Sequence, residues 1–167
     1  MNESRAERFE RIRQQLGPAL TRVVASYAKP GADHDDLAQE VLLAIWKALP
    51  GFRGDCSERA FTLRVAHNRG LNHLWRKPDL DGDAALERRA DPRSGADEAL
   101  AHHQESERLF AAIRTLSPAY RQVLTLALEE LSHAEIAAAL GISVENVAVR
   151  LSRARSALRD ALHEEKS

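Results

Sequence analysis

Residues 132–158, SHAEIAAALGISVENVAVRLSRARSAL, decide the reading of this chain, because they have the form of a helix, a tight turn and a second helix. Ser132 and Glu135 stand at the spacing of a capping box, in which each side chain satisfies a free backbone N–H at a helix start. Ile136, Ala137 and Leu140 give that helix an apolar stripe. Gly141 then supplies the left-handed conformation that other residues reach only at a steric cost. Ile142 fills the angle between the helices, Ser143 caps the second one, and Val147, Leu151, Ala154 and Leu158 recur at helical spacing as its buried face. At roughly 100° per residue, Glu145, Asn146, Val149, Ser152 and Arg153 fall opposite Val147, with Arg150 and Arg155 on the flanks. The outward side is therefore polar and net basic, on a helix that fits a DNA major groove. A helical hairpin with a glycine turn and surface arginines can also bind nothing, so the rest of the chain has to decide.

The 167 residues can form one ordinary domain or two small ones, neither with a large core. Aromatic residues are 5% of the chain, helix formers dominate, and no strand-like alternation of useful length occurs, which predicts an all-α protein. A net charge of −1 argues against a uniformly basic nucleic-acid binder and leaves local patches to be read segment by segment. The single cysteine, Cys56, excludes an intramolecular disulfide and a multi-cysteine zinc site. The N-terminal MNESRAERFERIRQQ lacks the apolar centre of a signal peptide, and no apolar run approaches the ~20 residues of a membrane span; a cytoplasmic protein without membrane insertion is predicted. No phosphate-binding glycine loop, HExxH motif or nucleophile paired with a base is present, so neither an enzyme nor a cofactor is predicted. Asp33, Asp35 and Asp36 read as helix-start residues rather than metal ligands, and the adjacent His102 and His103 point apart on a helix; no metal site is predicted.

Taken in order, Phe9, Ile12 and Leu16 mark one helix face, Gly17-Pro18 predicts a break, and Leu20, Val23, Val24 and Tyr27 follow. After Pro30-Gly31, Asp33 or Asp35 is predicted to cap the helix DDLAQEVLLAIWKAL. Leu37, Val41, Ala44, Ile45 and Ala48 form its core stripe, while Leu43 and Trp46 project to the other side with Asp36, Gln39 and Glu40. That second face either meets a protein partner or is covered by another helix of the same domain. Phe52 to Cys56, FRGDC, reads as a loop, and Ser57 as the cap of a helix reaching Arg76. Along that helix Arg59, Arg64, Arg69, Arg76 and Lys77 face only Glu58 in opposition, and Phe61, Asn68, Asn72, His73 and Trp75 are interleaved. Such a mixture suits single-stranded DNA, although a solvated amphipathic helix has the same look. Gly70 costs this helix about 1 kcal/mol relative to Ala. Residues 78–106 hold eight acidic and three basic side chains, a net charge of −5, and read as a linker, with helical order resuming near Ala96 to Leu100. Leu109, Ile113 and Leu116, then a Ser117-Pro118 helix start and Tyr120, Val123, Leu124, Ala127 and Leu128, lead into Leu131 and complete a four-helix module.

With both halves in view, the chain resembles the extracytoplasmic-function (ECF) group of bacterial RNA polymerase sigma factors, in the sigma-70 family. DDLAQEVLLAIWKAL, Phe52 and AFTLRVAHNRGLNHLWRK are similar to sigma region 2, and LSPAYRQVLTLALEELSHAEIAAALGISVENVAVRLSRARSAL to sigma region 4, in the same order and spacing. The resemblance implies an all-α fold of two small helical domains, residues 1–77 and 107–167, joined by the flexible acidic linker 78–106. It implies promoter-specific transcription initiation with core RNA polymerase, region 2 meeting the β′ clamp helices through Asp36, Gln39, Glu40, Leu43 and Trp46 and region 4 meeting the β flap. Promoter DNA is the second implied partner. The unpaired minus-10 element falls to Phe52, Arg53, Phe61, Arg64, Asn68, Arg69, Asn72, Arg76 and Lys77, and the minus-35 element to Ser143, Glu145, Asn146, Val149, Arg150, Ser152 and Arg153. An arginine on that reading helix can bind phosphate or guanine. An anti-sigma factor is a further partner by family habit. Phe61 stands where Trp is common in the family, and His67, Arg69, Asn72 and His73 replace its frequent Arg, Leu, Asp and Tyr. The alternative reading is a sigma-like helix-turn-helix regulator that does not join core polymerase.

Overall fold

The computed structural model describes residues 2–76 and 97–167, and among these are seven α-helices, one 3₁₀ turn and no strand. The helices are α1 (Arg5–Ala25), α2 (Ala32–Ala48), α3 (Glu58–Arg76), α4 (Asp97–Arg114), α5 (Pro118–Leu128), α6 (His133–Leu140) and α7 (Val144–Glu164), with the turn at Leu49–Gly51 after α2. The linker expected over 78–106 is helical from Asp97 onward, as the first turns of α4. Lys77 and the remainder of the linker, residues 78–96, lie outside the described residues.

Two expectations about helix starts and stops are corrected. Gly17-Pro18 does not break the chain, and α1 runs through both residues. Proline removes one N–H, but Ile12, Leu16, Ala19, Leu20, Val23 and Val24 stay in phase on one buried face across it, so packing holds the helix together. A capping box of Ser4 and Glu7 starts α1: the Glu7 N–H donates to Ser4 Oγ at 3.2 Å and the Ser4 N–H to Glu7 Oε2 at 2.8 Å. Neither Asp33 nor Asp35 caps α2. Its cap position is Gly31, at φ 122° and with no side-chain bond, while both aspartates lie in the first turn, where the helix dipole favours them. Asp33 instead meets His73, Oδ1 to Nε2 at 2.8 Å.

α1, α2 and α3 pack pairwise around Ile12, Leu20, Leu37, Val41, Ile45 and Leu63, all buried. Gly70 belongs to this packing. A Cβ there would sit 2.5 Å from Cγ and 2.8 Å from Cε2 of the Tyr27 ring, so the helix cost of glycine is offset by the close approach of Tyr27. In the C-terminal half Ile113, Val123, Leu126, Ile136, Val147 and Leu151 form the core shared by α4 to α7. The two halves meet where α3 packs against α5 and α6.

Candidate nucleic-acid interface

α6 and α7 build the helix-turn-helix from local chemistry. The Glu135 N–H donates to Ser132 Oγ at 3.1 Å and the Ser132 N–H to Glu135 Oε2 at 2.7 Å, closing the capping box. Gly141 takes the left-handed turn at φ 67°, and the Asn146 N–H donates to Ser143 Oγ at 3.0 Å to cap α7. With Val147, Leu151 and Ala154 buried, Ser143, Glu145, Val149, Ser152 and Arg153 are exposed along the other side of α7. Arg150 lies half-buried at their flank, its Nε donating to Asn146 Oδ1 at 3.0 Å. Val149 is 47% exposed, an apolar side chain with no burial to account for its place on this face.

On α3 the outward stripe is Asn68, Asn72, Trp75 and Arg76, at i, i+4, i+7 and i+8. Trp75 is 73% exposed; the family resemblance does not include it among the minus-10 residues, but helical spacing from Asn68 and Asn72 puts it on their face. The other expected residues of this helix face inward or are bound. Phe61 is buried with its ring 4.9 Å from that of Phe52, and Arg8 stacks over Phe52 at 4.9 Å. Arg53 projects from the loop beside Gly54, which holds φ 81°. The Ala60 N–H donates to Ser57 Oγ at 3.1 Å at the helix start. The cations of α3 are engaged within the protein. Arg69 and Arg76 both donate to Glu40 Oε2, at 3.2 and 3.0 Å, Arg64 Nη1 donates to the Ala139 carbonyl at 3.3 Å, and Arg59 reaches Glu129.

The contact between the halves includes several buried polar groups. His67, fully buried on α3, accepts from the Tyr27 hydroxyl at Nδ1, 3.0 Å, and its Nε2 lies 2.9 Å from Thr125 Oγ1 on α5. Thr125 in turn donates to the Arg121 carbonyl at 2.7 Å, so the donors run in one direction only if the neutral ring carries its proton on Nε2. Burial, with the positive charge of Arg121 adding to it, pushes His67 down to about 3. Burial likewise holds the Tyr27 hydroxyl well above its ordinary value. The Arg121 guanidinium lies over the Tyr27 ring at 5.0 Å and donates from Nη2 to the carbonyls of Arg114 and Leu116, at 2.7 and 3.1 Å. Its Nε and Nη1 are buried with no acceptor among the described residues, and burial lowers its pKa. Glu129 is 4% exposed and accepts from Arg22 Nε and Nη2 at 2.5 and 2.9 Å, and from Arg59 Nη2 at 3.4 Å; Arg59 Nη2 also donates to the Glu129 carbonyl at 3.0 Å.

The second face of α2 divides. Asp36, Gln39 and Leu43 are exposed, Leu43 by 53%. Trp46 is half-buried against α1: the Phe9 ring meets it edge-on at 5.4 Å, Arg5 lies over it at 4.2 Å, and Arg5 Nε donates to the Trp46 carbonyl at 2.9 Å. Glu40 is half-buried beneath its two arginines. α1 thus packs on part of Trp46, while Asp36, Gln39 and Leu43 stay exposed.

Residues 12–77 match the family Sigma-70 region 2 and residues 106–158 match Sigma-70, region 4. Among curated proteins, the RNA polymerase sigma factor CnrH of Cupriavidus metallidurans is 32% identical over an alignment covering 92% of this chain and 87% of that protein. The ECF RNA polymerase sigma-E factor of Escherichia coli is also 32% identical, over 83% of this chain and 78% of its own. The solved structure of CnrH in complex with the cytosolic domain of CnrY has a TM-score of 0.66 at 28% identity, covering 95% of this chain and 89% of that one. The sigma factor RpoE of Bartonella quintana, in complex with the anti-sigma factor NepR, shares the fold with a TM-score of 0.64 at 18% identity, covering 94% and 98%.

Proposed function

The chain belongs to the ECF group of the sigma-70 family, and from that premise we propose that its regions divide promoter recognition between the faces described above. It is a transcription-initiation factor with no chemistry of its own. In the proposed division, residues 1–77 form region 2, 107–167 form region 4, and 78–106 join them. Region 4 reads the minus-35 element with α7, where Val149 contacts a thymine methyl and Arg150 and Arg153 contact phosphate or guanine. Region 2 captures the unpaired minus-10 strand on α3: Asn68 and Asn72 present amides to base edges, and Trp75 presents a ring on which a base can stack. Asp36, Gln39 and Leu43 dock on the β′ clamp helices, with Glu40 at their edge. Trp46, half-buried against α1, borders this face, and region 4 meets the β flap. An anti-sigma factor, the kind of partner that RpoE has in its solved complex, is a third partner.

One observation carries the reading: the chain has an open polar-basic face on α7 and, separately, an open face at Asp36, Gln39 and Leu43 on α2. A regulator that only binds DNA has no use for the second. The test is retention of the intact chain by immobilised core RNA polymerase, beside a Leu43→Asp variant whose circular dichroism and melting are unchanged. Retention of the parent and loss by the variant supports the sigma assignment of this face. A parent chain that binds DNA but is not retained by core polymerase would favour the regulator instead.

A further inference from the structure

Three apolar side chains stand on the open side of α7 with nothing among the described residues to cover them. Val144 is 43% exposed and Val149 47%, and Ala148 is exposed between them. Val144 and Ala148 lie outside the set that the family resemblance assigns to the minus-35 element. Neither serves the core, since Val147, Leu151 and Ala154 already bury the other side of the helix. At about 100° per residue the three fall within roughly 140° of arc, and Glu145 falls among them. A lone exposed valine is ordinary, but packing does not account for a strip of three on the outward face of a helix-turn-helix.

The charges around the strip decide what it can meet. Arg150 and Arg153 border it on one edge, and Arg155 and Arg159 carry positive charge further along the helix. Arg153, Arg155 and Arg159 are exposed, with no carboxylate partner among the described residues. An apolar protein groove would leave those cations without counter-charges, whereas phosphates line both walls of a DNA major groove. The floor of that groove carries one apolar group, the C5-methyl of thymine. Glu145 is exposed and likewise has no partner among the described residues. The helix dipole favours an acid in this first turn, yet beside phosphates it costs attraction unless it accepts from a base. A carboxylate matches the N4 amino group of cytosine.

We infer that α7 is a methyl reader: Val144, Ala148 and Val149 pack on thymine C5-methyls, and Glu145 accepts from the N4 amino group of a cytosine in the same segment. The inference rests on the proposed minus-35 role of α7 and names the groups read there. Val144 and Val149 are separated by about 7.5 Å along the helix axis, more than twice the ~3.4 Å rise of a base pair, so they meet methyls on different base pairs.

The test uses the full chain, alone and with core polymerase, to enrich duplexes from a synthetic pool with a randomised segment. The enriched segment is expected to hold thymines on separate base pairs and a cytosine. Exchanging a contacted thymine for deoxyuridine removes only the methyl and is expected to weaken binding about fourfold, the worth of one buried methyl-sized group. Val144→Ala is expected to abolish that penalty at one thymine and Val149→Ala at another, each leaving the other intact. Glu145→Gln is expected to move the preference at the cytosine to adenine. All three positions are exposed, and alanine is a better helix former than valine, so the variants keep the fold. Deoxyuridine duplexes bound as tightly as their thymine parents overturn the methyl reading, as do penalties that persist in both alanine variants. Loss of retention by core polymerase without DNA in Val144→Ala assigns the strip to a protein and overturns it as well. A parent that enriches no sequence in either form strikes the minus-35 role of α7 and the inference with it. A parent that enriches DNA but is not retained by core polymerase strikes the sigma reading alone, while the deoxyuridine result still decides the strip.

Discussion

At the scale of the residue, position 70 shows how a local cost is reversed by one neighbour. Gly70→Ala improves helix propensity by about 1 kcal/mol, yet its methyl falls within the Tyr27 ring, which is itself buried. The overpacking term of about 1–3 kcal/mol dominates, so the variant is expected to be less stable by ~1–2 kcal/mol in urea denaturation. A more stable Gly70→Ala protein would show that Tyr27 is free to move. Nothing in the sequence places Tyr27 against Gly70, because the contact is made across 43 residues of chain, where the turn after α1 packs on α3. His67 is a second case. It appears in the sequence as a departure from the family's habit, and the structure makes it the joint of the two halves, with Tyr27 on one side and Thr125 on the other. Trp75 could be placed by helical spacing alone, since exposure follows from its register with Asn68 and Asn72.

At the scale of the element, the motifs that were legible are those whose partners lie within four residues. The Ser132 and Glu135 box, the Gly141 turn and the Ser143 and Ser117 caps all form as the spacing predicts, because a cap bond closes over one helical turn. Ser132→Ala is therefore expected to cost about 1 kcal/mol of stability, while Ser132→Asp retains most of it; equal stability of the Ala variant and the parent would show that α6 is held by packing alone. Where a helix boundary depends on what packs against it, local signals mislead. Pro18 reads as a break but sits inside α1, since the apolar stripe continues in phase on both sides. The aspartates that read as the cap of α2 lie inside its first turn, and Asp33 is turned toward His73.

At the scale of the whole molecule, the histidine between the halves couples stability to pH. His67 is held neutral, at about 3 against an ordinary value near 6.5, by burial first and by Arg121 second. The groups facing it are Tyr27 from the turn after α1 and Arg121 and Thr125 from α5, none of which offers a negative charge to a protonated ring. The unfolded chain therefore binds a proton that the folded one refuses. Stability is complete above pH 6.5 and falls as pH drops through the interval down to about 3, by at most about 2 kcal/mol at pH 5. Glu58, held low chiefly by its hydrogen bond from Arg11, adds its own loss only at lower pH. Denaturation midpoints taken between pH 8 and pH 5 are expected to decline, and His67→Gln to flatten that decline; a parent profile that is flat over the same range would show that the ring is accessible in the folded chain. By itself, the sequence determined the all-α class, the helix-turn-helix, the two halves and the faces of α2 and α7, because caps, turns and amphipathic spacing are set by neighbours along one helix. Only the tertiary structure decided that Trp46 packs against Phe9 and Arg5 of α1, that the cations of α3 are bound to Glu40, Glu129 and the α6 backbone, and that the halves meet at His67. Those contacts join side chains 29 to 75 residues apart, and no periodicity along the chain records which distant carboxylate or ring a side chain will meet.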